Sequence, residues 1–116
     1  MSAQTKASYK CLIVGPAECR TPAPLTVLGQ AVLPKLIRED NEAQVSVFHM
    51  TVPPMSGPPL HRHSREDEWL YVLDAEIAVD VDGERTVLRA DGSVFAPRGS
   101  AHGYQNFTGK PPRCWP

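Results

Sequence analysis

Cysteine is scarce in this sequence and unpaired by spacing. Cys11, Cys19 and Cys114 are the only three, and no CxxC pair occurs. An odd count at wide spacing is no disulfide framework, and it argues against a zinc site built on sulfur. Three free thiols are expected. No apolar run is long enough to cross a membrane, and the opening MSAQTKASYK lacks the apolar core of a signal peptide. A soluble, cytoplasmic protein with no membrane partner is the expectation. Charge of one sign is also missing: 12 basic and 13 acidic residues give a formal net charge of -1. The basic residues are scattered, so no nucleic-acid footprint is drawn. No phosphate-cradling glycine loop, nucleophile elbow or dinucleotide fingerprint is present, which sets aside nucleotide chemistry and hydrolase triads.

Proline, by contrast, is abundant. Twelve prolines cluster at 16–24, 53–59 and 111–116, with two more at 34 and 97. Proline at this density breaks helices and interior strands, so it favours an all-β domain rich in loops. Residues 1–8 read as a loose terminus. YKCLIV suggests a first short strand, LTVLGQAVLPKLI one or two extended pieces, and QVSVFHMTV a β-branched and aromatic strand. WLYVL is continuously apolar, which predicts a strand buried on both faces. In EIAVDVDGERTVLRA, Ile77, Val79 and Val81 alternate with small or polar residues, and Asp82-Gly83 supplies a two-residue hairpin turn. VFA is a short strand ended by Pro97. Seven to nine short strands and no convincing helix predict a β-sandwich or barrel.

Two of the four histidines stand in HRHSREDEWLYVL. In an extended chain, side chains two apart share a face, so His61 and His63 can approach one ion together. Glu68 is the best-placed carboxylate. It stands at the threshold of the apolar strand, where an unpaired charge is costly. Glu66 and Asp67 suit solvated positions or hydrogen bonds to the imidazoles. Alone, the stretch supports both a metal site and a charged loop. PRGSAHGYQN, about forty residues on, adds His102 just after a turn able to aim it inward, and a barrel is suited to joining the two segments.

The paired segments resemble the two histidine motifs of the cupin superfamily. His61, His63 and Glu68 match its first motif, and Pro97, Gly99, His102 and Asn106 match its second at every spacing. The similarity runs from about Gln44 to Asn106 and includes the quercetin-dioxygenase-like branch of small bacterial cupins. It implies a cupin barrel (double-stranded β-helix, or jelly roll) over residues 9–106, with an irregular tail over 107–116. It also implies one divalent ion (Fe, Mn, Ni, Cu or Zn) on His61, His63, Glu68 and His102. Four protein ligands leave coordination positions open, the mark of a catalytic rather than a closed structural metal.

Three family glycines are replaced: they fall at Met55, Ala75 and Asp91. Gly57 and Gly92 stand near enough to serve with a small register shift, whereas Ala75 resists φ > 0. Ten residues follow Asn106, and FTGKPPRCWP is a poor interior strand. The expectation is a C-terminally truncated member whose barrel lacks its last strand, with a homodimer partner able to supply it. The implied function is a metal-dependent, dioxygenase-like oxidoreductase acting on a small organic substrate, with Glu68 as its catalytic proton acceptor. The alternatives are a non-catalytic small-ligand-binding cupin and, more remotely, a sugar or keto-acid isomerase. His49, Tyr71 and Gln105 are candidates for the substrate pocket.

Overall fold

The structure, a computed structural model, describes residues 9–107. Nine short strands and one turn of 3-10 helix account for its regular structure among the described residues. Every strand pairing is antiparallel. No helix among them is long and apolar enough to cross a membrane. The sequence reading takes 9–106 as one barrel domain. The chain packs as two compact units, Met1–Thr51 and Val52–Pro116.

The first unit is a three-stranded sheet of β1 (Leu25–Val27), β2 (Gln30–Leu36) and β3 (Val47–Thr51), in that order. Leu28 and Gly29 both take positive φ, the left-handed turn that joins two twisted strands in two residues. Gln30, Val32 and Pro34 alternate along β2 and bury one face. A register irregularity between Pro34 and Leu36 lets the ladder pass a residue with no N–H to donate. Before β1 the chain is irregular. Tyr9–Val14, expected as a strand, has no ladder partner and leaves Ile13 almost wholly exposed. The loop that follows is tied down by two cations. Lys35 Nζ donates to the carbonyls of Gly15, Pro16 and Glu18, and Arg20 forks onto Asp40 at 2.9 and 2.6 Å. Cys11 and Cys19 are free thiols; Cys114, with the residues 1–8 and 108–116 of the two expected tails, lies outside the described residues.

The second unit holds a four-stranded sheet and a two-stranded one. The larger runs β4 (His61–Arg62), β9 (Ala101–Gln105), β6 (Glu76–Val81), β7 (Glu84–Arg89). The smaller pairs β5 (Glu68–Tyr71) with β8 (Ser93–Ala96). Asp82 and Gly83 take positive φ in the β6–β7 turn, as the Asp-Gly pair predicts. Its core is small: Ala78, Val79, Ala96 and Tyr104 are buried. Against expectation, β5 is covered on one face only, since Trp69 and Tyr71 are 62% and 45% exposed.

Turn geometry resolves the three replaced glycines in an unexpected way. Met55, Ala75 and Asp91 all keep positive φ, at 58°, 63° and 71°. The left-handed turns stay in place and non-glycine residues occupy them. Gly92 takes no positive φ and does not substitute for its neighbour. Gly57 does, at 144°, and for a second reason: a Cβ there would collide with the Tyr104 carbonyl. Asn106, buried beyond β9, closes the unit by donating from Nδ2 to Val52 O at 3.0 Å, while its backbone pairs with Met55 and Ser56.

Candidate metal centre

Strand register brings the two histidine segments together. His61 on β4 lies directly opposite His102 on β9, and directly paired residues share a face of the sheet. His63 follows just beyond the end of β4, and Glu68 opens β5 in the other sheet. The three imidazoles cluster, with ring centroids 4.4 Å apart for His61 and His102, 4.9 Å for His61 and His63, and 5.5 Å for His63 and His102. One potential ligand atom from each of His61, His63, Glu68 and His102 lies within 4.8 Å of all the others. His102 is buried; the other three are half-buried.

Each imidazole is turned so that its Nδ1 points outward. His61 Nδ1–H donates to Pro59 O at 2.8 Å, and His102 Nδ1–H to Ser100 O at 3.3 Å. His63 Nδ1 lies 3.3 Å from Glu66 Oε1. A carbonyl or carboxylate only accepts, so these partners place the proton on Nδ1 and leave a lone pair on Nε2. His102 Nε2 then faces Glu68 Oε1 at 2.9 Å, and His63 Nε2 faces Glu68 Oε2 at 3.7 Å. Two acceptors as close as 2.9 Å need positive charge between them, which a proton on Nε2 or a divalent ion provides. Metal–ligand bonds of about 2.0–2.2 Å put neighbouring ligand atoms roughly 3 Å apart. His102 Nε2 and Glu68 Oε1, at 2.9 Å, are at that spacing, while the full cluster, within 4.8 Å, must draw in slightly around an ion; its nitrogen-rich donor set suits a mid-sized divalent transition metal.

A second set of contacts holds the ligand loop. Asp67 accepts from Arg98 three times, from the backbone N–H at 2.9 Å, Nε at 3.1 Å and Nη2 at 3.2 Å. Hydrogen bonding to Arg98 holds the Asp67 carboxyl below the usual carboxylate range. Gly99 N–H donates to His63 O at 2.7 Å, and Arg62 Nη1 donates back to Gly99 O. The loop carrying His63 is thereby stitched to the Pro97–Gly99 turn that precedes His102. Arg98 reads from sequence as a solvated turn residue. Nothing local in the sequence ties it to Asp67, 31 residues away.

The remaining pocket candidates do not join this cluster within the second unit. Tyr71 alternates with Glu68 and Leu70, so it stands on the opposite face of β5, and its hydroxyl donates to Asp91 Oδ1 at 3.0 Å. Gln105 lies opposite Ala78, on the face of β9 away from His102 and Tyr104. His49 belongs to the first unit, where it is exposed and pairs in register with Leu33.

A family model for the cupin domain matches residues 48–114. The tetracenomycin polyketide synthase protein TcmJ of Streptomyces glaucescens is 31% identical over 65 residues, 56% of this chain and 44% of that protein. The chain thus spans less than half the length of this curated relative. Among solved structures, a predicted oxalate decarboxylase from Thermotoga maritima superposes with a TM-score of 0.70 at 25% identity, covering 82% of this chain and 87% of that one. An oxalate oxidase superposes with a TM-score of 0.58 at 26% identity, covering 83% and 50%.

Proposed function

The chain belongs to the cupin family, and on that premise we propose that it is a mononuclear metal protein acting as a dioxygenase-like oxidoreductase on a small organic molecule. The observation that carries this reading is the meeting of one nitrogen from each of three imidazoles and one carboxylate oxygen within 4.8 Å. His61, His63, Glu68 and His102 are the ligands. A divalent ion held there supplies a Lewis acid with open positions for substrate oxygens and, where the metal is redox active, an electron route to dioxygen.

The chain's own residues do the rest. Pro59 O, Glu66 and Ser100 O fix the imidazoles in one tautomer and orientation. Buried His102 is the rigid reference for the site. Glu68 is half-buried and spans both sides of the cluster, so its carboxylate accepts the proton of a substrate hydroxyl as that oxygen enters. The oxidoreductase reading is supported by the likeness to an oxalate oxidase. A non-redox second reading, activation of a polyketone, is favoured by the likeness to a polyketide synthase protein.

Metal analysis of the purified chain tests the centre, with about one divalent ion per chain expected. That ion is lost from His61→Ala and from His102→Ala. A folded wild-type chain that takes up no metal removes the centre altogether. Oxygen uptake with phenolic and diketone substrates, after reconstitution with each candidate metal, tests the reaction. Uptake supports the oxidoreductase. Substrate conversion without uptake supports the second reading, and stoichiometric binding without conversion leaves a ligand-binding cupin.

A further inference from the structure

A cavity of about 570 Å³ opens in the second unit, and Val81 of its lining pairs directly with His102. Register puts most of its walls, Ser93 and the turn residue Asp82 apart, on the sheet faces that carry the cluster residues. On the larger sheet, His61 pairs with His102, His102 with Val81, and Tyr104 with Val79. Val79 pairs in turn with Thr86, and Ile77 with Leu88. Residues paired directly share a face, so Val79, Val81, Thr86 and Leu88 stand on the face of the sheet that carries the histidines. On the smaller sheet, Glu68 pairs with Ala96 and Leu70 with Val94. Alternation puts Val94 on the face of Glu68. Val79, Val81, Leu88 and Val94 all line the cavity.

The charge around it has one sign. Asp82 and Glu84 are the ionisable residues of the lining, and no lysine or arginine among the described residues joins them. The nearby guanidinium groups are committed elsewhere. Arg85 forks onto Asp80 and Arg98 onto Asp67, Arg89 pairs with Glu76, and Arg62 donates to Gly99 O. Asp80 and Glu76 alternate with Val79 and Val81, so two of these pairs lie on the sheet's other face. A short dicarboxylate entering here would meet apolar walls and two acids, with no cation for its free end. An apolar ring system would bury its surface.

The geometry points to a neutral, largely apolar molecule as the substrate class, its polar end toward the four-residue cluster and its apolar body against Val79, Val81, Leu88 and Val94. This rests on the metal-centre reading above. A cavity of this size lies within the usual range for small-molecule sites, which are mostly apolar with a few polar groups.

A matched pair of probes tests it. Catechol and naphthalene-2,3-diol offer the same two oxygens and differ by one fused ring. Calorimetric titration into the zinc-loaded full chain, where zinc is redox-inert, reads binding without turnover. Burial of the extra ring predicts about ten-fold tighter binding of the naphthalenediol. Thr86→Trp and Val94→Phe, each filling the cavity from a different sheet, abolish that advantage while zinc stoichiometry holds. Leu88→Arg, which supplies the missing cation, strengthens binding of malonate by several-fold. Equal affinity of wild type for both diols overturns the inference, as does a ring advantage that survives both filling variants. In either case bound zinc shows that the centre itself stands. A folded wild type that binds no zinc removes both.

Discussion

His102 and His63 present equivalent imidazoles from unlike settings. His102 sits in β9, between β4 and β6, with its side chain 3% exposed. Ladder bonds on both sides fix its backbone, and residues around it form the unit's core. His63 lies past the end of β4, in irregular chain, with its side chain 33% exposed. What fixes it is a set of individual contacts: Glu66 on its ring, Gly99 on its carbonyl, and the Asp67–Arg98 pair beyond. One half of the centre is built by packing and the other by polar stitching. The buried half sets position, and the other half stays open to solvent.

The largest expected effect separates the two halves by stability. His102→Ala removes a buried side chain from the unit's core, so it should cost roughly 1–3 kcal/mol of folding stability as well as the metal. His63→Ala should also cost at least about 100-fold in metal affinity, since loss of a supporting residue alone typically costs 10–100-fold. Its effect on stability should stay within about 0.5 kcal/mol, as for most surface substitutions. Denaturant unfolding of the metal-free chains, beside a competitive chelator titration, reads both quantities. Equal stability losses would erase the distinction between packed and stitched halves.

A smaller effect probes the stitching. Asp67→Asn keeps the shape of the side chain and removes its charge, so the Arg98 fork weakens without emptying the loop. Metal affinity should fall by about ten-fold or less, the low end for groups that orient ligands. His63→Ala already lacks the imidazole this clasp positions, so adding Asp67→Asn to it should cost less than in wild type, a coupling that a double-mutant cycle detects. The sign of the pH dependence follows from the lowered Asp67 pKa. Its contribution is fully present above the unfolded-state value of about 3.9 and is lost as pH falls through the lower folded value. Between pH 5 and 8 the clasp is therefore constant.

The same contrast explains which features were readable from sequence. The clustering of His61, His63, Glu68 and His102 was legible because metal chemistry restricts residue type and the motifs restrict spacing; register then had only to pair His61 with His102. The Asp82-Gly83 turn was legible because few dipeptides accept positive φ twice. WLYVL misled because continuous apolarity hides alternation: Trp69 and Tyr71 occupy the outer face of β5 and stay exposed, while Leu70 turns inward. Tyr9–Val14 misled because β propensity without a partner strand forms no ladder. The Asp67–Arg98 pair was illegible for the opposite reason. Its two members come from separate strand ends, and nothing local in either segment names the other.

The finest test concerns the turn that links the two sheets. Ala75 joins β5, which carries Glu68, to β6, which flanks His102, and holds φ at 63°. The left-handed conformation costs an L-residue about 1–2 kcal/mol, while glycine pays about 0.5–1 kcal/mol in chain entropy. Ala75→Gly should therefore stabilise the chain by up to about 1 kcal/mol, read as a rise of a few degrees in Tm, with metal affinity unchanged. Asp91 is the control. Its φ is 71°, yet its carboxylate accepts the Tyr71 hydroxyl and its N–H donates to Val72 O at 2.7 Å. Aspartate tolerates this conformation better than alanine, and glycine would forfeit the side-chain bond. Asp91→Gly should bring no gain. If both variants stabilise equally, backbone strain alone governs these turns; if only Ala75→Gly does, side-chain partners have compensated where the family's glycine was lost.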